Sequence, residues 1–234
     1  MSDAGYAQFC PIAKAMEVIG EKWTLLIVRE LLMGSTRFNE FQRGLSQISP
    51  TLLTKRLNTL EEHGLVVRRK IRGQRGSEYF PSESCKELMP IIEQVGSWGM
   101  RWARNLSDDD FDLELLMLYL QRSIQPDKLP GRETVIRFNF NDVTDSEYAT
   151  WWLVVGDEVD ICVHDPGHEV DIYFNVDLRT MCELWMGDVS YKKAIADGRL
   201  QLVGPAALTR TVSEWLTPSI FAGVAPAQAI VEPA

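Results

Sequence analysis

The 234-residue chain has no apolar run approaching the roughly 20 residues that cross a bilayer, so no membrane-spanning helix and no membrane partner are expected. Its first ten residues, MSDAGYAQFC, lack the basic start and apolar stretch of a secretory signal. Cysteine is sparse: Cys10, Cys85, Cys162 and Cys182 lie far apart, with neither CxxC spacing nor a disulfide-dense pattern. A reducing, cytoplasmic location is therefore expected. Histidine is rarer still. His164 and His168 stand four apart, but Pro166-Gly167 between them writes a turn, so the two rings need not share a face and no metal site is expected. A phosphate-cradling glycine loop and a nucleophile elbow are both missing. No catalytic constellation and no cofactor site follow, and the chain reads as a non-enzyme.

What is present is an ordinary globular composition, 45% hydrophobic and 24% charged, with an uneven charge distribution. Residues 1–106 hold 15 Lys+Arg against 11 Asp+Glu, a net +4; residues 107–234 hold the other 9 against 22, a net −13. The overall −9 thus hides a basic module joined to an acidic one, and for nucleic acid the location of positive charge matters more than its sum. The balance flips at Ser107-Asp108-Asp109-Asp110-Phe111-Asp112, which is the expected boundary. Three segments follow: a basic module 1–106, an acidic module 107–224, and an Ala/Pro-rich tail 225–234 that reads as flexible.

In the basic module, Pro11 to Ile19 and Trp23 to Met33 read as helices, the second stopped by Gly34. Phe38 to Arg43 reads as a short helix. Ser49-Pro50-Thr51 opens another: Ser49 can cap exposed N–H groups, and Pro50 at the first helical position sacrifices no bond. At 100° per residue, Leu52, Leu53, Leu57 and Leu60 share one side, while Thr51, Thr54, Lys55 and Asn58 share the other. Leu65 to Ile71 and Ser77 to Phe80 flank Arg72-Gly73-Gln74-Arg75-Gly76 and read as a β-hairpin with a basic tip. A final helix, Ser84 to about Asn105, places Leu88, Ile91, Ile92, Val95, Trp98 and Trp102 at helical spacing. Such an apolar face exceeds what a small domain covers by itself and points to a second copy, or to the acidic module, as its cover.

A helix entering the major groove needs one apolar face for its own domain and one of short polar or cationic side chains for base edges. The helix after Ser49 divides in this way. The following hairpin carries Arg68, Arg69, Lys70, Arg72 and Arg75, suited to phosphates or the adjacent minor groove. Alone, a polar helix face is a solvated face and a basic hairpin a solubility feature. In the order short helices, capped helix, basic hairpin, they point together to a winged helix-turn-helix on double-stranded DNA.

These blocks also resemble a known family. Cys10-Pro11, Gly20-Glu21-Lys22-Trp23-Thr24, Arg37-Phe38-Asn39-Glu40-Phe41, Ile48-Ser49-Pro50-Thr51-Leu52-Leu53-Thr54-Lys55-Arg56-Leu57 and Leu60-Glu61-Glu62-His63-Gly64-Leu65-Val66 are similar, in order and spacing, to the HxlR regulators of bacteria. The resemblance covers roughly residues 8–104. It implies a homodimer on a pseudo-palindromic operator, with terminal helices forming the dimer contact. The expected DNA-contacting set is Arg37, Ser49, Thr51, Thr54, Lys55, Arg56, Asn58, Arg72 and Arg75. Ser82-Glu83-Ser84-Cys85 departs from the family, which usually turns there with glycine. The resemblance also makes Cys10 a redox candidate, with Lys14 one turn on as a possible activating charge. A small buried residue beside Pro11 is the favoured reading, because the acidic module offers another sensor.

In that module Leu113 to Ile124 reads as a helix. Ile136/Phe138/Phe140, Val159/Ile161/Val163 and Val170/Ile172/Phe174 alternate with polar residues and read as antiparallel strands, each with one buried face. Tyr148 to Val155 reads as a strand apolar on both faces. Asp177 caps a helix with Leu178, Met181, Leu184 and Trp185, ended by Gly187. A helix (Ser190 to Ala196), a strand (Arg199 to Val203) and a helix (Pro205 to Leu216) complete an α+β architecture in which an antiparallel sheet is packed with helices. Val170-Asp171-Ile172, Gly187-Asp188-Val189-Ser190, Ala194 to Leu200 and Trp215-Leu216 resemble the sterol-carrier-protein-like domain over about 110–222. That resemblance implies an apolar small-molecule effector, with Phe138, Trp152, Met181, Trp185 and Phe221 as candidate cavity residues or simple core. The rival reading makes the acidic module a lipid carrier and gives the winged helix protein contacts.

Overall fold

A computed structural model of the chain describes residues 5–73, 75–131, 133–145 and 148–227. Of the hairpin tip, Gln74 lies outside the described residues, as do 228–234 of the tail. The chain parts into two compact units between Trp98 and Gly99, earlier than the acidic run.

The first unit begins with α1 (Pro11–Ile19), α2 (Thr24–Leu32), α3 (Phe38–Gly44) and α4 (Pro50–Glu62). Between α1 and α2, Trp23 adopts a left-handed backbone (φ +79°), a conformation that costs a non-glycine residue about 1–3 kcal/mol. Gly34 (φ +95°) supplies the left-handed position that ends α2 without such a cost. The antiparallel strands β1 (Val66–Lys70) and β2 (Ser77–Pro81) pair in the register Arg68↔Tyr79. Tyr79 seats this hairpin on the helices through an edge-to-face contact with Phe41 at 6.0 Å. The core behind α4 contains Ile27, Val28, Leu31, Phe41, Leu53, Leu57 and Leu60.

The expected single helix from Ser84 is two: α5 (Glu83–Lys86) and α6 (Met89–Trp102). Pro90 explains the break, since it cannot donate to the carbonyl of Lys86, while in the first turn of α6 its missing N–H costs no bond. At the segment where glycine was expected, Ser82 caps α5 by accepting from the Cys85 amide at 3.3 Å.

The second unit holds α7 (Leu113–Ser123), capped by Asp112, and a five-stranded sheet. Its strands are β3 (Thr134–Phe140), β4 (Thr150–Val155), β5 (Val159–Cys162), β6 (Ile172–Val176) and β7 (Leu200–Val203), in the order β5-β4-β3-β6-β7. The α+β class is as expected, but the sheet is mixed: β3 and β6 run parallel, Ile136 opposite Ile172, and the other three pairings are antiparallel. After the β3–β4–β5 meander, residues 163–171 carry the chain back past β4 to the free edge of β3, so β6 enters in β3's own direction. Alternation reports which face a side chain takes, and carries no information on partner direction.

Helices α8 (Leu178–Met186) and α9 (Tyr191–Ala196) are capped by Asp177 and Ser190. The last expected helix also divides, into α10 (Ala206–Thr209) and α11 (Val212–Trp215). There the Thr211 hydroxyl donates to the Ala207 carbonyl at 2.6 Å, competing with the backbone bond that would continue the helix. Ile136, Phe138, Phe140, Trp151, Leu153, Ile172, Phe174 and Val176 pack into one core with Leu120, Met181, Leu184 and Trp215.

Candidate nucleic-acid interface

Helix α4 separates its residues as the sequence requires. Leu53, Leu57 and Leu60 are buried and Leu52 is half-buried, while Thr51, Thr54, Lys55 and Asn58 are exposed. Ser49 caps the helix, its hydroxyl accepting from the Leu52 amide at 3.3 Å. The Thr54 hydroxyl donates to the Pro50 carbonyl at 2.9 Å, which fixes its rotamer and leaves its lone pairs outward.

Arg56 takes a different part. Its Nε donates to the Lys22 carbonyl at 3.2 Å and its guanidinium pairs with Glu21, leaving the side chain only 11% exposed. These two partners precede Trp23, so Arg56 holds α4 against the strained turn between α1 and α2. Arg37 is likewise engaged, 3.0 Å from Glu78 on β2. Its backbone N–H donates to Glu40 Oε2 at 2.9 Å, closing the first turn of α3.

On the hairpin, Arg68 donates to the Ser77 hydroxyl at 3.0 Å and lies over the Tyr79 ring, and Arg69 lies over Phe80 at 4.8 Å. Lys55, Lys70 and Arg75 are exposed, Arg72 stands at the turn, and none of the four has an ion-pair partner among the described residues. The unit thus presents short polar side chains on one helix face and uncommitted cations beside it.

Helix α6 has a second distinctive surface. Leu88, just before it, and Ile92 pack on the core, but Ile91, Val95 and Trp98 are about half exposed, at 48%, 52% and 60%. With Pro90 and Gln94 they line an almost wholly apolar groove. Trp102, further along, is also exposed.

Cys10 is half-buried at the start of α1, but Lys14 pairs with Glu17 at 3.0 Å. Two other thiols are strongly disfavoured as thiolates by burial, Cys85 pushed up to about 11 and Cys182 to about 12.

The five candidates of the second unit do not share one space. Phe138 and Met181 are fully buried, Phe138 stacked on Phe174 at 4.7 Å. Trp185 is half-buried, stacks on Tyr119 at 4.6 Å and donates to Ser123 Oγ at 2.7 Å. Phe221 is half-buried in the segment after α11. Trp152 lies on the opposite face of the sheet from Phe138, because Phe138 aligns with Trp151 and Arg137 with Trp152. That opposite face, with Arg137, Tyr173, Asn139 and Asn175, is not among the residues expected from sequence. A signal for it exists: the polar partners in each alternation must also share a face. His164 and His168 lie in a loop, with His168 Nδ1 2.7 Å from Glu133.

Residues 18–107 match the HxlR-like helix-turn-helix family, and residues 116–217 the SCP-2 sterol transfer family. The HTH-type transcriptional regulator YvaP of Bacillus subtilis (strain 168) is 35% identical over 98 residues, 41% of this chain and 91% of its own length. YtcD of the same organism, another HTH-type transcriptional regulator, is 31% identical over 120 residues, 50% of this chain and 90% of its own length. Among solved structures, the redox regulator HypR in its reduced form is 34% identical, covering 38% of this chain and 90% of that one at a TM-score of 0.36. The chain belongs to the HxlR-like helix-turn-helix family of transcriptional regulators and carries an SCP-2 sterol transfer domain behind its helix-turn-helix.

Proposed function

We propose that this regulator binds a pseudo-palindromic DNA operator as a homodimer, α4 reading bases in the major groove and the hairpin gripping the adjacent backbone. The observation that carries this reading is the division of α4, with Thr51, Thr54, Lys55 and Asn58 outward over buried leucines. Residues 1–106 bind DNA and dimerise; residues 107–224 sense an effector. Lys55 and Thr51 read base edges, Asn58 a base or phosphate, and Arg72 and Arg75 neutralise phosphates. Ser49 and Arg56 position the helix, and Arg37 braces α3 against the hairpin. Ile91, Val95 and Trp98 on α6 supply the apolar surface for pairing two copies, with half-sites about one DNA turn, roughly 34–36 Å, apart. The SCP-2 match supports an apolar small molecule as effector, acting only as far as it prefers one conformation over the other.

The experiment is selection of bound duplexes from a random DNA pool, then titration of the winner across salt concentrations. Enrichment of a pseudo-palindrome, with affinity falling steeply as salt rises, is the expected result. Recovery of no shared sequence would overturn the reading.

A further inference from the structure

In the acidic unit three arginines pair with carboxylates: Arg104 with Asp188, Arg179 with Asp108 and Arg199 with Glu183. Arg137 on β3 is different. Its guanidinium lies between two rings on neighbouring strands, 5.3 Å from Trp152 of β4 and 5.9 Å from Tyr173 of β6, and it has no carboxylate partner among the described residues. Its one hydrogen bond among the described residues runs from Nε to Asn139 Oδ1 at 2.9 Å.

That bond sets the direction of everything beside it. Arginine can only donate, so the Asn139 oxygen faces it and the Asn139 amide nitrogen faces away. The nitrogen donates to Asn175 Oδ1 at 2.7 Å, and Asn175 in turn donates to Gln201 Oε1 at 3.2 Å. In this ladder across β3, β6 and β7 each amide oxygen accepts one bond and keeps a second lone pair. Among the described residues, the donors left without an acceptor on this sheet face are the two Nη groups of Arg137, the amide nitrogen of Gln201 and the indole N–H of Trp152. That last group is buried and without a partner among the described residues, in a residue only 6% exposed. A buried orphan donor is costly, and its position beside an arginine that has no carboxylate calls for an acceptor.

We propose that this face is a binding site for a small organic carboxylate with a flat apolar body. The guanidinium and the indole N–H take the carboxylate, and Trp152 and Tyr173 take the body. Charge selects a monoanion over phosphate: one cation serves the site, Asp160 of β5 lies on the same face diagonal to Trp152, and the module carries −13 overall. The site lies wholly within one unit and on the sheet face opposite Phe138 and Met181. It does not rest on the operator reading, and its test contains no DNA.

The test uses the full chain and 2-naphthoate, following the indole N–H resonance of Trp152 by NMR, assigned through Trp152→Phe. The expected result is a saturable shift with 2-naphthoate and none with its neutral amide or with inorganic phosphate at the same concentration. Arg137→Gln should weaken binding about tenfold or more, and Arg137→Lys should retain part of it. No shift at millimolar 2-naphthoate, an equal response to the amide or to phosphate, or undiminished binding by Arg137→Gln would each overturn the proposal. Should Arg137→Gln not fold, Arg137→Lys and the carboxylate–amide comparison on the unmodified chain decide between the same two outcomes.

Discussion

The two units differ in where they leave cations without a carboxylate, the first gathering them on α4 and its hairpin. In the second, Arg104, Arg179 and Arg199 each close an ion pair with a carboxylate distant in sequence. In the first, Lys55, Lys70, Arg72 and Arg75 have no ion-pair partner among the described residues, and Arg68 and Arg69 rest on aromatic rings. A paired cation contributes to its own fold; an unpaired one at the surface adds little there and is available to a polyanion. Substitutions should therefore separate folding from binding in the first unit. The largest expected effect lies in the second, where stability rests on its core. Trp215 is fully buried, meets Phe174 edge-to-face at 6.0 Å and donates to the Leu208 carbonyl at 3.0 Å. Trp215→Ala should cost that unit about 3–5 kcal/mol in urea unfolding. Operator affinity of the first unit should survive at temperatures where it remains folded. Loss of DNA binding in step with loss of the sheet would show that the units do not divide labour as described.

A sharper comparison lies within α4, between adjacent residues. Lys55 points outward; Arg56 is tied to Glu21 and Lys22. Lys55→Ala should weaken specific binding by about 1–3 kcal/mol with the melting temperature unchanged, as expected of a base contact. Arg56→Ala should lower the melting temperature and the affinity together, since it releases α4 from the turn at Trp23. Unchanged affinity in the first variant, or unchanged stability in the second, would reverse the two assignments. Thermal melts and operator titrations on both variants make the comparison.

How much of this was legible depended on whether the signal was local. Ser49-Pro50 and Asp177 announced their helices because a cap and a missing N–H act within one turn. The outward set on α4 followed from the 100° step alone. The intramolecular partners of Arg56 were hidden for a long-range reason: they lie 34 and 35 positions away, and helical spacing says nothing of what a neighbouring turn offers. The break before α6 was local, and Pro90 carried it. Strand direction was not local, because β6 joins β3 only after the chain has passed β4 and β5. The Arg137 face required that same pairing, since Trp152 and Tyr173 flank it from strands on either side.

The smallest expected effect tests whether the hairpin holds phosphates or reads sequence. Arg75 is exposed at the tip, unlike Arg68, whose Nε is committed to Ser77 and whose guanidinium covers Tyr79. If Arg75 meets the backbone, Arg75→Ala should weaken binding by similar factors on the selected operator and on unrelated duplex. It should also lower the slope of log affinity against log salt by about 0.9, one counterion's share. Arg68→Ala should instead loosen the hairpin, seen as faster amide exchange in β1 and β2, because Tyr79 loses its cover. If Arg75→Ala changes the preferred sequence while leaving the slope intact, the tip reads the minor groove, and base recognition is shared between α4 and the hairpin.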